Sequence, residues 1–220
     1  MMKSLIIALF ALYSASAISA IQIESSRVIY FGENKSASLT LHNASQKNYI
    51  IQTWLDEDSD KPGKEMVVTP PIMKVKPDQS AVLRFIYSGK GLPTDRESVY
   101  WINVQEIPPR ASEPNVMQLA IRTRLKLFYR PVGMKAKLDE QIGQLTLKKS
   151  SEALFVSNPG PLHISLSQLI IKTPQGKEQK ITAPMIAPFG SETIPFPKGS
   201  RVVGLTYIND YGGVADVKMH

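Results

Sequence analysis

The chain contains no cysteine, three histidines and two tryptophans among its 220 residues. Beyond its first twenty positions it has no apolar run long enough to cross a bilayer. Each absence closes off a class of protein. Without thiols there are no disulfides, no thiolate nucleophile and no cysteine-based metal site. His42, His163 and His220 lie far apart, with no pair at helical or hairpin ligand spacing, so no metal is expected. No G-x-S-x-G, no Ser-x-x-Lys in a fitting context and no phosphate-cradling glycine loop is present. Asp56, Glu57, Asp58 and Asp60 could coordinate calcium, but Lys61, Pro62 and Lys64 adjoin them, and the stretch reads as a solvated hairpin loop. No catalytic residue and no cofactor is expected.

What is present begins with a leader. Lys3 supplies a positive start, Leu5 to Leu12 is apolar, and small residues follow from Ser14 to Ala20. This is a secretory signal peptide over residues 1–20, cleaved after Ala20 or after Ala17. Its apolar stretch falls short of the roughly 20 residues of a spanning helix. The mature protein is therefore expected in an exported compartment and not embedded in a membrane. Removing Lys3 leaves 25 basic against 19 acidic residues, a charge of +6. That excess favours an acidic partner or surface without naming one. Nucleic acid is not expected as a partner, since no recognised motif for it is present. Asn34-Lys35-Ser36 and Asn43-Ala44-Ser45 match a glycosylation pattern that matters only in a eukaryotic secretory route.

Short strands dominate the mature chain. Ile21–Ile23, Ser26–Tyr30, Ala37–Asn43, Tyr49–Leu55, Met66–Thr69, Ile72–Val75, Ala81–Tyr87 and Val99–Glu106 are β-branched or aromatic and often alternate. Clusters such as GENKS, KPDQS and SGKGLPTD separate them. After Pro131 a second set includes Gly143–Lys148, Ala153–Ser157, His163–Ile171, Glu178–Ile181, Glu192–Pro195, Gly204–Asn209 and Val214–Met219. No long stretch has a helical period. Strands recurring every roughly 8–12 residues imply antiparallel sandwiches. The expectation is an all-β protein of two sandwich domains, residues 21–131 and 132–220, hinged at Pro131-Val132-Gly133. Trp54 sits where a sandwich strand commonly buries a large aromatic, and Thr69-Pro70-Pro71 suits a cis bond or a bend between sheets.

The stretch NVMQLAIRTRLKLFYRP, Asn115 to Pro131, carries the functional signal. Met117, Leu119 and Ile121 fall on one strand face, with Gln118 and Arg122 on the other. On pattern alone this is an ordinary core strand ending at a domain boundary. It then runs into Arg122, Arg124, Lys126, Phe128, Tyr129 and Arg130. An apolar row followed by cations is also what a sheet edge needs to grip another chain by its backbone and its terminal carboxylate. Parity raises a question: Lys126 is even and the apolar row odd, so a regular strand points them to opposite faces. A bulge, a twist or the use of both sheet faces could reconcile them. Arg27, Glu97 and Asp210 are further charges in apolar surroundings; each alone reads as a solvent-face residue.

Taken together, DRESVYWINVQEIPPR (Asp95–Arg110), NVMQLAIRTRLKLFYRP and YINDYGG (Tyr207–Gly213) resemble the periplasmic pilus chaperones of the bacterial chaperone–usher pathway. The resemblance covers essentially the whole mature chain. It implies two immunoglobulin-like β-sandwich domains set as an L around a cleft. It implies that Arg27 and Lys126 bind the terminal carboxylate of a pilus subunit. Met117, Leu119 and Ile121 would form the strand donated to that subunit's incomplete sandwich, and Glu97, Arg130 and Asp210 would form a charged triad fixing the interdomain angle. The implied partners are fimbrial subunits and an outer-membrane usher, in the periplasm. An exposed apolar edge also makes a self-capping homodimer plausible.

The sequence has its own features within that pattern. About ten residues separate Glu106 from Met117, a short connection that goes in the family with rod-like pili. Met117 replaces a more usual branched aliphatic, which implies an adaptable contact. Arg122 and Arg124 add positive charge beside the donor row. Two other classes compete: a structural or adhesive two-domain sandwich, and an exported hydrolase or carbohydrate-binding enzyme. The first should carry its own donor extension and often a disulfide; the second needs a convergent acid–base or metal set. Neither feature is visible.

Overall fold

The computed structural model describes residues 20–57, 65–111 and 115–219. Residues 1–19, all but the last position of the expected signal peptide, and Asp58 and Asp60 of the acidic loop lie outside the described residues. Among the described residues the first half of the chain forms nine strands: β1 (Ile21–Ile23), β2 (Arg27–Phe31), β3 (Ala37–Asn43), β4 (Tyr49–Glu57), β5 (Met66–Thr69), β6 (Ile72–Val75), β7 (Ser80–Tyr87), β8 (Ser98–Ile107) and β9 (Ile121–Arg130). They make two sheets, in the orders β1-β3-β7-β5 and β2-β9-β8-β4-β6. All pairings are antiparallel except β2 with β9.

Alternation sets what fills the space between these sheets. Leu39, Leu41, Leu83 and Phe85 point inward from one sheet, and Ile51, Tyr100, Ile102, Val104, Leu125 and Leu127 from the other. Each fully buried apolar side chain contributes about 1.5–3 kcal/mol in area terms, before chain entropy is set against it. Such a core stabilises a domain of this size without the disulfides it lacks.

Trp54 does not take the buried position expected of it. Thr53 and Leu55 face the core, so alternation turns Trp54 to the outer face, where it is half-buried beneath Arg122. At Thr69–Pro70 the peptide is cis, and the chain passes there from β5 in one sheet to β6 in the other. Asn43, in one of the two glycosylation patterns, is fully buried and donates to the Lys47 and Val75 carbonyls.

After Pro131 a second sandwich follows. A short helix α1 (Leu138–Ile142) precedes β10 (Thr146–Lys149), β11 (Ala153–Ser157), β12 (Ile164–Lys172), β13 (Glu178–Thr182), β14 (Met185–Ile186), β15 (Ser191–Pro195), β16 (Arg201–Ile208) and β17 (Val214–Lys218). One sheet runs β10-β11-β15; the other runs β13-β12-β16-β17, with β14 also on β12. Its core, around Val156, Leu162, Ile164, Leu169, Ile171, Ile186 and Leu205, is separate from the first. Gly143, expected to open a strand, instead caps α1. The result is two immunoglobulin-like sandwiches forming an L, with a cleft between them. Among the described residues no helix is long and apolar enough to cross a membrane.

Candidate functional site: a strand edge that ends at two cations

β9 links the two domains, and its neighbours treat its two ends differently. On one side β8 pairs with it without interruption from Ile121 to Tyr129. On the other side β2 pairs only from Lys126 to Arg130. From Ile121 to Leu125 the β2-side edge of β9 has no strand beside it among the described residues. An open edge presents unpaired backbone donors and acceptors, a template for another chain.

The unbroken register settles the parity question. No bulge lies between Ile121 and Tyr129, so odd and even residues keep to opposite faces throughout. Leu125, Leu127 and Tyr129 lie in the core. Arg122, Arg124, Lys126, Phe128 and Arg130 lie on the outer face, whose far end packs against the second domain: the Phe128 ring is 5.6 Å from that of His163. Ile121, the last of the apolar row, and Lys126 thus lie on opposite faces of one regular ribbon.

Ile121 continues the inward row past the end of the core and is 49% exposed; Leu119 and Met117 are 73% and 85% exposed. The expected strand through Asn115–Ala120 is not formed. β8 reaches its last partner at Glu106 opposite Ile121, so residues 116–120 have no ladder to join. Gln118 tethers them instead: its Nε2 donates to the Pro109 carbonyl at 2.6 Å, and its Oε1 accepts from the Ala111 N–H at 3.3 Å.

Arg27 opens β2 directly opposite Lys126, and alternation places both side chains on the outer face. Arg27 is buried. Its Nη1 donates to the Ile208 carbonyl at 3.1 Å, while its Nε is buried without a hydrogen-bond partner. Burial lowers its pKa from the ordinary value and Arg130 adds to that, while Asp210 and Glu97 oppose it. A buried guanidinium with an unmet donor is under-compensated. Lys126 lies on the Trp101 ring, its Nζ 5.1 Å from the centroid.

The three charges Glu97, Arg130 and Asp210 meet at the junction of the domains. Arg130 Nε donates to Glu97 Oε1 at 2.9 Å, and its two terminal nitrogens donate to the Asp210 oxygens at 2.8 and 2.6 Å. Burial alone would lower the Arg130 pKa, but the bonds to Asp210 and the charge of Glu97 outweigh it, and the value rises. A fourth member joins them that no sequence pattern points to. The His163 N–H donates to Glu97 Oε2 at 2.7 Å, and His163 Nδ1 lies 2.9 Å from the same oxygen. His163 comes from the second domain, so Glu97 is held from both sides. Gly212 lets the Asp210 loop close on the first domain: its φ is +83°, and a Cβ there would lie 2.2 Å from Ser26 Oγ.

Asp56, a candidate calcium ligand, is engaged otherwise. Its Oδ2 accepts from Asn103 Nδ2 at 2.7 Å and from Arg122 Nη2 at 3.4 Å. Among the described residues no three His, Asp or Glu side chains group as metal ligands do.

Comparison with known proteins places this geometry. Residues 20–135 match the family model of the pili and flagellar-assembly chaperone PapD N-terminal domain, and residues 140–218 that of the pili assembly chaperone PapD C-terminal domain. The chain is 36% identical over 227 residues to the probable fimbrial chaperone LpfB of Escherichia coli O157:H7, covering 99% of this chain and 96% of that one. It is 32% identical over 213 residues to the Escherichia coli chaperone protein PapD, covering 94% and 88%. The crystal structure of the YadV chaperone superposes with a TM-score of 0.78 at 33% identity, covering 91% of this chain and all of that one. These relatives are chaperones, which sets aside the reading as a structural or adhesive sandwich.

Proposed function

The chain belongs to the pili-assembly chaperone family, and on that premise we propose that it binds, folds and stabilises pilus subunits by lending them the open edge of β9. One observation carries the reading: the open edge stops where β2 begins, and at that point Arg27 and Lys126 stand opposite each other. A guest strand in the gap would meet the start of β2 end to end. Its last carboxylate would fall between the two cations. To end at Lys126 and also cover Met117–Ile121, the guest must run parallel to β9, as β2 does.

The energetics suit binding without catalysis. A subunit short of one strand exposes an apolar groove and unpaired edges, which is an aggregation hazard. Burial of Met117, Leu119 and Ile121 adds roughly 1.5–3 kcal/mol per side chain before docking entropy is subtracted. Charge-assisted bonds at Arg27 and Lys126 add roughly 1.5–3 kcal/mol and set the register, because a one-residue slip would turn the apolar row away. Arg130, Glu97 and Asp210 hold the domains so that Arg27 keeps its place against Ile208. We place the domain junction at Pro131, the action in the periplasm after removal of the leader, and delivery of the subunit at an outer-membrane usher. Without a guest, the exposed row is covered by a second copy of the chain.

The test is periplasmic co-expression with a pilus subunit encoded beside this gene. Wild type should yield a one-to-one complex. The double variant Arg27→Ala/Lys126→Ala should lose it while keeping the wild-type circular dichroism spectrum. A complex that survives the double substitution would overturn the anchoring role.

A further inference from the structure

We propose that Arg122 and Arg124 form a selector for pilus subunits whose terminal strand carries acidic side chains on its outward face; this rests on the strand-lending reading above. Neither residue belongs to the carboxylate anchor, and neither touches the second domain in any contact described above. Both lie on the outer face of β9 beside its open edge, where a guest strand would run.

Their arrangement is built and not incidental. Arg122 is stacked 5.0 Å from the centroid of Trp54, and its Nε donates to Asn103 Oδ1 at 2.9 Å. Arg124 is stacked 4.4 Å from the centroid of Trp101, the same ring that carries Lys126. The two tryptophans of the chain are therefore both spent on seating the cations of one strand face. A guanidinium held over a ring is pre-organised and loses less freedom when it meets a carboxylate. Both arginines remain exposed in that state.

Spacing gives the recognition rule. Arg122, Arg124 and Lys126 recur every second residue, about 6.6–6.8 Å apart along a strand. A guest strand paired in parallel presents alternate side chains at that same interval and on that same face. Its inward side chains continue the apolar row; its outward ones lie beside the arginines. Acidic residues there meet opposite charge, and basic residues meet a row of three cations of which Asp56 offsets one charge. Like charges across an interface discriminate more strongly than matched pairs attract. The terminal carboxylate sets where the guest ends; the arginines then read the residues just before it.

A peptide experiment on the mature protein tests this. The probes are twelve-residue peptides with an alternating apolar row and a free terminal carboxylate, bearing Glu, Gln or Lys at the outward positions among the last five residues. Isothermal titration should rank Glu over Gln over Lys, with Glu at least about tenfold tighter than Lys at low salt. Arg122→Gln/Arg124→Gln should compress that ratio to within about twofold while an amidated terminus still weakens binding. Arg124→Gln alone, which leaves the Asn103 and Asp56 bonds intact, should compress it part of the way. A ratio unchanged in the double variant overturns the selector and leaves the anchor standing. A free and an amidated terminus binding equally overturns the anchor instead. Absence of binding by every peptide overturns both.

Discussion

The two halves of β9 are one regular ribbon put to two uses. From Lys126 to Tyr129 it has a strand on each side, and Leu127, Phe128, Tyr129 and, next in the chain, Arg130 are buried. From Ile121 to Leu125 it has, among the described residues, a strand on one side only, and its apolar row runs out into solvent. Propensity does not separate them: Ile121 and Thr123 are β-branched, Phe128 and Tyr129 are aromatic, both classes favour strands, and each half carries two cations. What separates them is where β2 starts. Five residues of parallel pairing turn one half into a structural spine and leave the other as an open edge.

The largest effect is expected in the paired half. Arg130→Ala would leave Glu97, only 3% exposed, without its guanidinium partner. Breaking one side of a buried ion pair costs about 3–5 kcal/mol, because the remaining charge stays desolvated. Urea unfolding of the free protein should fall by that amount, and the affinity for a subunit should fall with it, since Arg27 leans on the same junction through Ile208. A stability loss under about 1 kcal/mol would mean that the cluster contributes little beyond a surface pair.

The open half should behave in the opposite way. Leu119 is 73% exposed, so Leu119→Glu should leave the urea midpoint of the free protein unchanged. Its cost appears only when a guest covers it: the lost apolar burial of about 1.5–3 kcal/mol, or roughly a 10- to 150-fold weaker complex, with the buried carboxylate adding to that. Analytical titration against a subunit separates the two outcomes. A variant that destabilised the free fold as much as the complex would erase the distinction between the halves.

Much of this is legible in the sequence. Strand alternation located nearly every element of both sandwiches, because period-two burial is a local signal. The residues of the cation pair and of the charged triad came from the family resemblance, since each alone reads as a solvent-face charge. What escaped depends on which strands meet. Trp54 was expected in the core because its strand alternates, but the phase of alternation is decided by the partner sheet, and Thr53 and Leu55 take the inside. Met117 and Leu119 continue the alternation of the strand, yet in its register they would face Arg110 and Pro108, beyond the end of β8 at Ile107. His163 sits 66 residues from Glu97, and a lone histidine among apolar residues announces nothing until the second domain is docked. The open edge itself is invisible in one dimension, since it consists of a neighbour that is not there.

The smallest expected effect sharpens the contrast from the buried side. Tyr129 lies in the paired half with its ring 5.3 Å from that of Tyr30 and 4.6 Å from that of Tyr87. Burial raises the pKa of its phenol above the ordinary value of 10.0, and the neighbouring tyrosines and Glu33 add to the rise. The folded state therefore keeps this proton at a pH where the unfolded chain has released it. Its contribution is fully present below the unfolded value and is lost as pH rises through the folded one. The urea midpoint should decline above about pH 10, and Tyr129→Phe, which keeps the ring contacts and cannot ionise, should make that decline shallower. Tyr207 in the second domain is raised in the same direction by burial, so a residual slope should remain. Phenols of the open half cannot contribute, because residues 115–125 contain no tyrosine. An alkaline slope identical in wild type and variant would show that the paired half does not desolvate this phenol, and with it would go the claim that β2 seals that part of β9 from water.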